Sequence, residues 1–215
     1  MNINLSGTVN VFKLIAKPSL CLPHAAVPTF KDIPTPLEKV FEGWGKNVID
    51  IRAVVLDKDD CFAYPNTNKI YPAYADKFRQ LRDEYPGRRL LIVSNTTGAT
   101  SYDRDARLAR ELESATGVPV LAHRVKKPGC GDEIMAYFKG HPEAGVTHPS
   151  QISIVGDRLM TDMMLANMMG SWGLWIRDGI KPLKQKSIFS KFEQRLGPYL
   201  IARGYSASGP QSPFE

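Results

Sequence analysis

The chain has 215 residues, of which 43% are hydrophobic and 23% charged, and its formal net charge is +6. This length is enough for one domain with a proper core, and without an unbroken apolar stretch of about eighteen residues a membrane-spanning helix is excluded. The three cysteines lack CxxC spacing, which argues against a disulfide framework or a zinc site. The positive charge permits a phosphate-rich partner, either nucleic acid or anionic lipid.

The N-terminal segment contains no acidic residue before Asp32. Before Pro18 ends the run, four apolar residues recur at helical spacing: Leu5, Val9, Phe12 and Ala16. This pattern fits a basic amphipathic helix on a membrane surface, an organelle-targeting segment, or a short helix packed on the domain. We assign residues 1–47 to an N-terminal membrane-associating segment and connector, with a helical turn or two around 37–41.

After this segment, apolar strands alternate with amphipathic helices. The strands are predicted at 49–56, 89–94, 119–122, 152–155 and 172–176, and the helices at 74–84, 103–116, 131–138 and 161–169. Near-continuous apolar strands that alternate with helices indicate a parallel sheet covered on both faces. The sequence therefore predicts an α/β fold, a Rossmann-like parallel sheet with helices on both faces.

The character of the chain changes after Asp178. Apolar residues at helical spacing lie among lysines and arginines, which predicts a basic amphipathic helix over 187–205. Residues 206–215 are small and polar and include proline and glycine, so we predict a disordered tail there. The main domain is then 48–186.

Polar side chains follow four of the predicted strands at the points where the strands end. In open parallel sheets, sites lie outside these carboxyl ends. The residues are, in chain order, Asp57, Lys58, Asp59, Ser94, Asn95, Lys127, Asp157 and Asp162. A carboxylate can act as a nucleophile, carboxylate oxygens suit Mg²⁺, and a hydroxyl and a lysine can hold phosphoryl oxygens. The set therefore favours phosphoryl transfer.

Four short motifs occupy these strand ends: DKDDC at 57–61, SNT at 94–96, KKP at 126–128 and GDRLMTD at 156–162. In this order and context they resemble the motifs of the haloacid dehalogenase superfamily of phosphatases. The intervals between the first three motifs hold only one helix and one strand each, which leaves no room for a cap domain. The resemblance implies a haloacid dehalogenase-type phosphatase domain without a cap over 48–186.

The resemblance also implies a role for each residue. Asp57 corresponds to the nucleophile and a magnesium ligand, and Asp59 to the general acid/base, whose backbone carbonyl also binds the ion. Asp157 corresponds to the remaining direct magnesium ligand. Lys127 corresponds to the motif lysine, and Asp162 supports the ligands or orients that lysine.

Phosphate binding is implied for Ser94, helped by Asn95. Lys58 is expected to point away from the site with its backbone near the phosphate, and Arg158 is either a substrate contact or a solvated side chain. Lys126 is the less favoured alternative for the motif lysine. These residues complete the predicted site.

Several neighbouring residues are expected to be structural. Asp60 caps the turn after the strand, although its charge can repel an anionic substrate slightly. Cys61 and His123 are expected to be packed rather than reactive, and the methionines within 160–169 to fill the core.

An uncapped site needs part of its substrate, or a surface, to cover it, because caps are what exclude water over small metabolites. A large substrate is therefore expected: a protein, a nucleic acid or a lipid headgroup in a bilayer. The basic ends of the chain favour anionic lipid, and no interleaving of aromatic and basic residues provides a base-stacking platform. We expect a peripheral membrane protein without a nucleic-acid partner.

A narrower resemblance points the same way. The opening MNINLSGTVNVFKL and the stretch LDKDDCFAYPNTNKIYP resemble the mitochondrial phosphatidylglycerophosphate phosphatases of fungi and their capless bacterial relatives. This implies a phosphatidylglycerophosphatase of the cardiolipin pathway, on the matrix side of the mitochondrial inner membrane. The chain departs from that pattern at Asp60, where the family has asparagine. A capless protein or polynucleotide phosphatase and a non-catalytic lipid-binding module remain alternatives, and the oligomeric state is open.

Overall fold

The computed structural model describes residues 13–14, 16–44 and 49–211. Within these ranges, five parallel strands form one sheet in the order β1-β5-β4-β2-β3. The strands are β1 (Ala25–Val27), β2 (Ala53–Leu56), β3 (Leu90–Ile92), β4 (Ile152–Gly156) and β5 (Trp172–Ile176). The α-helices are α1 (Ala75–Glu84), α2 (Arg107–Thr116), α3 (Gly131–Lys139), α4 (Met164–Met169) and α5 (Ile188–Ala202). The predicted α/β parallel-sheet fold is confirmed.

Helices cover both faces of the sheet because successive side chains of a strand point to opposite faces. Val54 and Leu56 of β2 belong to a buried cluster with residues of α1 and α2, such as Phe78. Ala53 and Val55 belong to a second cluster with residues of α3 and α4. Burial of each larger aliphatic side chain stabilises the fold by about 1.5–3 kcal/mol, and the apolar run of β2 contributes to the core on both faces of the sheet.

The prediction of a strand at 119–122 is wrong. Val120 forms only an isolated bridge to Ile92, and the next bridge joins His123 to Ala99. Pro119 has no backbone N–H to donate to a ladder, which limits pairing here. The fifth strand is instead β1, at the sheet edge beside β5.

The region that we assigned to the N-terminal segment and connector contributes to the core. Besides β1, its residues Phe30, Leu37 and Phe41 are fully buried, and the predicted turn is present as a 3-10 helix at Leu37–Phe41. The predicted amphipathic positions Leu5, Val9 and Phe12 lie outside the described residues. Membrane association of this segment stays a prediction.

The C-terminal region packs against the domain beside the sheet. The helix α5 lies within the predicted range and buries Glu193, Gly197 and Leu200. In the region predicted as a tail, Ala207 is buried and the carbonyl oxygen of Ser208 lies 2.9 Å from His24 Nε2. None of the described helices combines the length and apolar content required to span a bilayer.

Candidate active site

The carboxyl ends of the inner strands open into a cleft at one edge of the sheet, as expected for a parallel sheet. All the predicted site residues except Lys58 and Asp162 line this cleft, and those two contact residues that do. The lining comprises Asp57, Asp59, Asp60, Pro65, Ser94, Asn95, Thr96, Lys127, Asp157, Arg158, Thr161, Lys181, Gln185, Lys186, Ser187 and Ser190.

A buried lysine joins two carboxylates at the base of the cleft. Asp57 follows β2 directly, and its backbone N–H donates to Val155 O at 2.8 Å. The Lys127 ammonium donates to Asp57 Oδ1 and to Asp162 Oδ1 at 2.6 Å. Asp162 Oδ2 also accepts from the backbone N–H of Arg158 at 3.1 Å. Both oxygens of Asp162 therefore have donors, which gives it an orienting position behind Lys127.

Three carboxylates meet here: one oxygen from each of Asp57, Asp157 and Asp162 lies within 4.8 Å of the others. Asp157 Oδ1 is buried and has no hydrogen-bond partner among the described residues. Three buried carboxylates exceed the charge of the one lysine between them, and an excess buried charge is costly unless a cation compensates it. The residues therefore fit a hard divalent cation such as Mg²⁺, which takes carboxylate oxygens.

Burial also raises the pKa values of two of these carboxyl groups. Burial raises the pKa of Asp57 to about 7, against the opposing charge of Lys127 and with the added charge of Asp162. Burial, followed by the charges of Asp57 and Asp162, raises the pKa of Asp157 well above its ordinary value. A bound cation acts in the opposite sense, since it favours the ionised carboxylates.

Asp59 is held by donors on both of its carboxylate oxygens. Its Oδ1 accepts from Lys58 Nζ at 2.6 Å and from the Asn66 backbone N–H at 3.0 Å. Its Oδ2 accepts from the Thr96 hydroxyl at 3.2 Å. Lys58 is buried and also donates to Thr67 O at 2.9 Å, so its side chain is directed away from the cleft, as we expected. Thr96 was not among the predicted site residues, although it is the last residue of the SNT motif.

The loop after β3 connects to the lysine-bearing loop. Ser94 Oγ lies 3.0 Å from Thr96 Oγ1 and accepts from the backbone N–H groups of Thr96 and Thr97. Asn95 Oδ1 accepts from the Lys127 backbone N–H at 2.7 Å. Asn95 therefore positions the lysine as well as lining the cleft.

Arg158 has a structural partner. Its Nε donates to Glu193 Oε2 at 2.5 Å, and Glu193 Oε1 accepts from the Met160 backbone N–H at 2.9 Å. Glu193 lies on α5 and is almost fully buried. The pair therefore attaches α5 to the loop after β4. This contact was not among the predictions made from the sequence.

The segment after β5 also contributes to the cleft, although none of its residues was among those predicted for the site. We call residues 179–186 the strap; it lines the cleft with Lys181, Gln185 and Lys186. Asp60 Oδ1 accepts from the backbone N–H groups of Ile180 and Lys181 at 2.9 and 2.6 Å, and Asp60 Oδ2 lies 2.8 Å from Lys186 Nζ. Asp60 is thus structural, and Lys186 offsets the charge that we expected to repel the substrate.

Gly156, the last residue of β4, allows Asp162 to approach. A Cβ atom at this position would lie 2.3 Å from Asp162 Oδ2. We expect Gly156→Ala to displace Asp162 from Lys127, to lower the free energy of unfolding by about 1–3 kcal/mol and to reduce turnover. Thermal unfolding and phosphate release are measured beside Gly43→Ala, whose added Cβ meets nothing within 4 Å. Equal behaviour of the two variants contradicts this role of Gly156.

Comparisons with known proteins identify the family to which the chain is similar. The family model described as mitochondrial PGP phosphatase matches residues 5–181. The chain is 46% identical to the mitochondrial phosphatidylglycerophosphatase of Saccharomyces cerevisiae, over 92% of this chain and 99% of that protein. It is 37% identical to the probable mitochondrial phosphatidylglycerophosphatase of Schizosaccharomyces pombe, over 84% and 85%. A solved p-nitrophenyl phosphatase from Archaeoglobus fulgidus aligns with 86% of this chain and 65% of the phosphatase chain, at 15% identity and with a TM-score of 0.23.

Proposed function

The chain belongs to the mitochondrial PGP phosphatase family, and we propose that it hydrolyses phosphatidylglycerophosphate to phosphatidylglycerol and phosphate. The observation that carries this proposal is the family match combined with the buried group of Asp57, Asp157 and Asp162 around Lys127. Carboxylates and a lysine at strand ends suit the transfer of a phosphoryl group. The proposed place of the reaction is the mitochondrial inner membrane, on its matrix side.

The proposed reaction has two steps. Asp57 attacks the terminal phosphorus, an Asp57 oxygen–phosphorus bond forms, and the bond to the glycerol oxygen breaks while Asp59 donates a proton to that oxygen. Water then attacks the aspartyl phosphate, Asp59 takes its proton, and Asp57 is released with inorganic phosphate. Asp59 lines the same cleft as Asp57, and Lys58 and Thr96 hold its carboxylate in a fixed orientation.

In this scheme Asp57, Asp157 and the backbone carbonyl of Asp59 would hold Mg²⁺, which neutralises charge on the phosphoryl oxygens. Lys127 holds Asp57 in place and adds a second positive charge beside the reacting group. Ser94 and Asn95 line the cleft and can donate to phosphoryl oxygens. Asp162 keeps Lys127 in position.

The exposed face of α5 supports peripheral binding to an anionic bilayer. Ile188, Phe189 and Phe192 are 84%, 71% and 52% exposed, while Ser187 and Ser190 line the cleft. Basic residues flank the apolar ones, namely Lys184, Lys191 and Arg195. Apolar side chains can enter the bilayer while basic residues contact anionic headgroups, so the cleft would open toward the lipid substrate.

We expect the double substitution Phe189→Ser and Phe192→Ser to weaken binding to vesicles of anionic phospholipid by about 10-fold or more, because two exposed phenyl groups are lost. Co-sedimentation with vesicles measures the effect. Tyr102→Ser is the control, since Tyr102 is 62% exposed and lies outside both α5 and the cleft lining. Equal binding by the double variant and by the wild type excludes this face as the membrane contact.

The substrate itself is tested by magnesium-dependent phosphate release. Phosphatidylglycerophosphate in detergent micelles is compared with a phosphopeptide and with a 3′-phosphorylated oligonucleotide. Strong preference for the lipid is expected. Preference for a soluble substrate favours a capless protein or polynucleotide phosphatase, and inactivity on all three favours a non-catalytic lipid-binding module.

A further inference from the structure

Most cations around the cleft are already paired with carboxylates. Lys127 lies between Asp57 and Asp162, and Lys186 pairs with Asp60. The remaining pairs are Lys58 with Asp59 and Arg158 with Glu193. These cations therefore form ion pairs within the protein and have less charge to offer a substrate.

Lys181 differs from the other cations. It lines the cleft and is only partly buried, and no carboxylate of the described residues lies within salt-bridge distance of it. Its Nζ lies 5.5 Å from the centre of the Tyr64 ring, in a cation–π contact. Because Lys181 forms no ion pair with the described carboxylates, its ammonium group can bind an anionic substrate in the cleft.

The backbone of Lys181 is fixed relative to the proposed nucleophile. Its N–H and that of Ile180 both donate to Asp60, three residues after Asp57 in the same loop. Gly179 has φ of +63°, and a Cβ there would lie 2.7 Å from Lys186 Nζ and 2.8 Å from Asp60 O. The turn therefore needs glycine, and it holds the strap against the loop that carries Asp57.

We propose that Lys181 forms a second anion subsite, which binds the phosphodiester of the substrate while its terminal phosphate lies at Asp57. This inference rests on the proposed function, since that substrate carries a phosphomonoester and a phosphodiester joined by one glycerol. Lysine supplies a compact positive charge that suits a singly charged diester. The hydroxyls of Ser187 and Ser190, in the same lining, can donate to the diester oxygens.

The diester is unchanged by the reaction, so Lys181 binds the ground state and the transition state equally. Loss of such binding raises KM and leaves kcat little changed. The subsite therefore acts on substrate choice: it favours phosphomonoesters that carry a second anionic group at a short distance.

The test compares Lys181→Gln with Lys139→Gln, which removes the same charge from an exposed lysine at the end of α3, outside the cleft lining. Substrates are phosphatidylglycerophosphate in zwitterionic micelles and glycerol 3-phosphate, which has no diester. We expect Lys181→Gln to raise KM for the lipid about 10-fold and to lower its preference for the lipid by a similar factor. Lys139→Gln should behave as the wild type.

A second measurement does not depend on turnover of the small monoester. Glycerophosphoglycerol, a soluble phosphodiester, should inhibit the wild type competitively and Lys181→Gln about 10-fold less well. An unchanged KM and unchanged inhibition in Lys181→Gln overturn the subsite while the phosphatase activity stands. A wild-type protein that releases no phosphate from the lipid overturns the proposed function and the subsite together.

Discussion

Asp57→Asn is expected to lower the rate of phosphate release from phosphatidylglycerophosphate on the order of 10⁴-fold or more. An amide is a poor nucleophile. The substitution also removes a charged oxygen from the group that Asp57 forms with Asp157 and Asp162. The fold should survive, because Lys127 keeps its contact with Asp162 at 2.6 Å and a buried carboxylate is replaced by a neutral group of similar size.

Steady-state phosphate release and thermal unfolding are both measured for this variant. Asp83→Asn is the control, since Asp83 is exposed on α1 and outside the cleft lining. Trapping of a phosphorylated protein after rapid acid quench is expected in the wild type and not in Asp57→Asn. Normal turnover by Asp57→Asn would contradict a covalent step at this residue.

Sequence patterns were sufficient for the part of the site that depends on local order along the chain. An apolar strand followed directly by Asp57 and Asp59 places both at a strand end, and the same rule brings Asp157 to that edge. Lys127 lies in the cleft without a strand before it, since Val120 forms only an isolated bridge. β5 obeys this rule as well. The chain reaches Lys181 shortly after the end of β5, so the same rule applied to this strand predicts that the strap lies at the cleft.

Other features depend on contacts between residues far apart in the chain. The pairing of Asp60 with Lys186 and that of Arg158 with Glu193 leave no periodic signal, because each requires the folded sheet to bring two loops together. β1 has only three residues, too few for strand alternation to be recognised.

The contacts of Asp60 change the interpretation of its charge. As an isolated carboxylate beside Asp57 and Asp59, it would disfavour an anionic substrate. In the folded protein it anchors the strap through two backbone N–H groups and Lys186. The charge of Asp60 is therefore offset by Lys186, and Asp60 holds the backbone of Lys181 at a fixed position beside the cleft. If Lys181 forms the proposed subsite, Asp60 contributes to substrate binding by holding the strap in place.

Removal of divalent cations by a chelator is expected to abolish turnover, and added Mg²⁺ to restore it.

The effect of cation removal on the free energy of unfolding depends on pH. Because the pKa of Asp57 is raised to about 7 in the folded metal-free protein, the folded state binds this proton more tightly than the unfolded chain, in which the pKa is about 4. The stabilisation from this proton is fully present below about pH 4 and is lost as the pH rises through about 7.

Magnesium compensates the carboxylate charges where they are ionised, and at low pH it must compete with protons. We therefore expect Mg²⁺ to raise the melting temperature of the chelator-treated protein more at pH 8 than at pH 5.5. Differential scanning calorimetry at both pH values measures this difference. Asp157→Asn should lose most of the increase, because it removes a carboxylate whose Oδ1 has no protein partner within the described residues, whereas Asp83→Asn should retain it. An equal increase at both pH values, or an undiminished one in Asp157→Asn, would place the cation elsewhere.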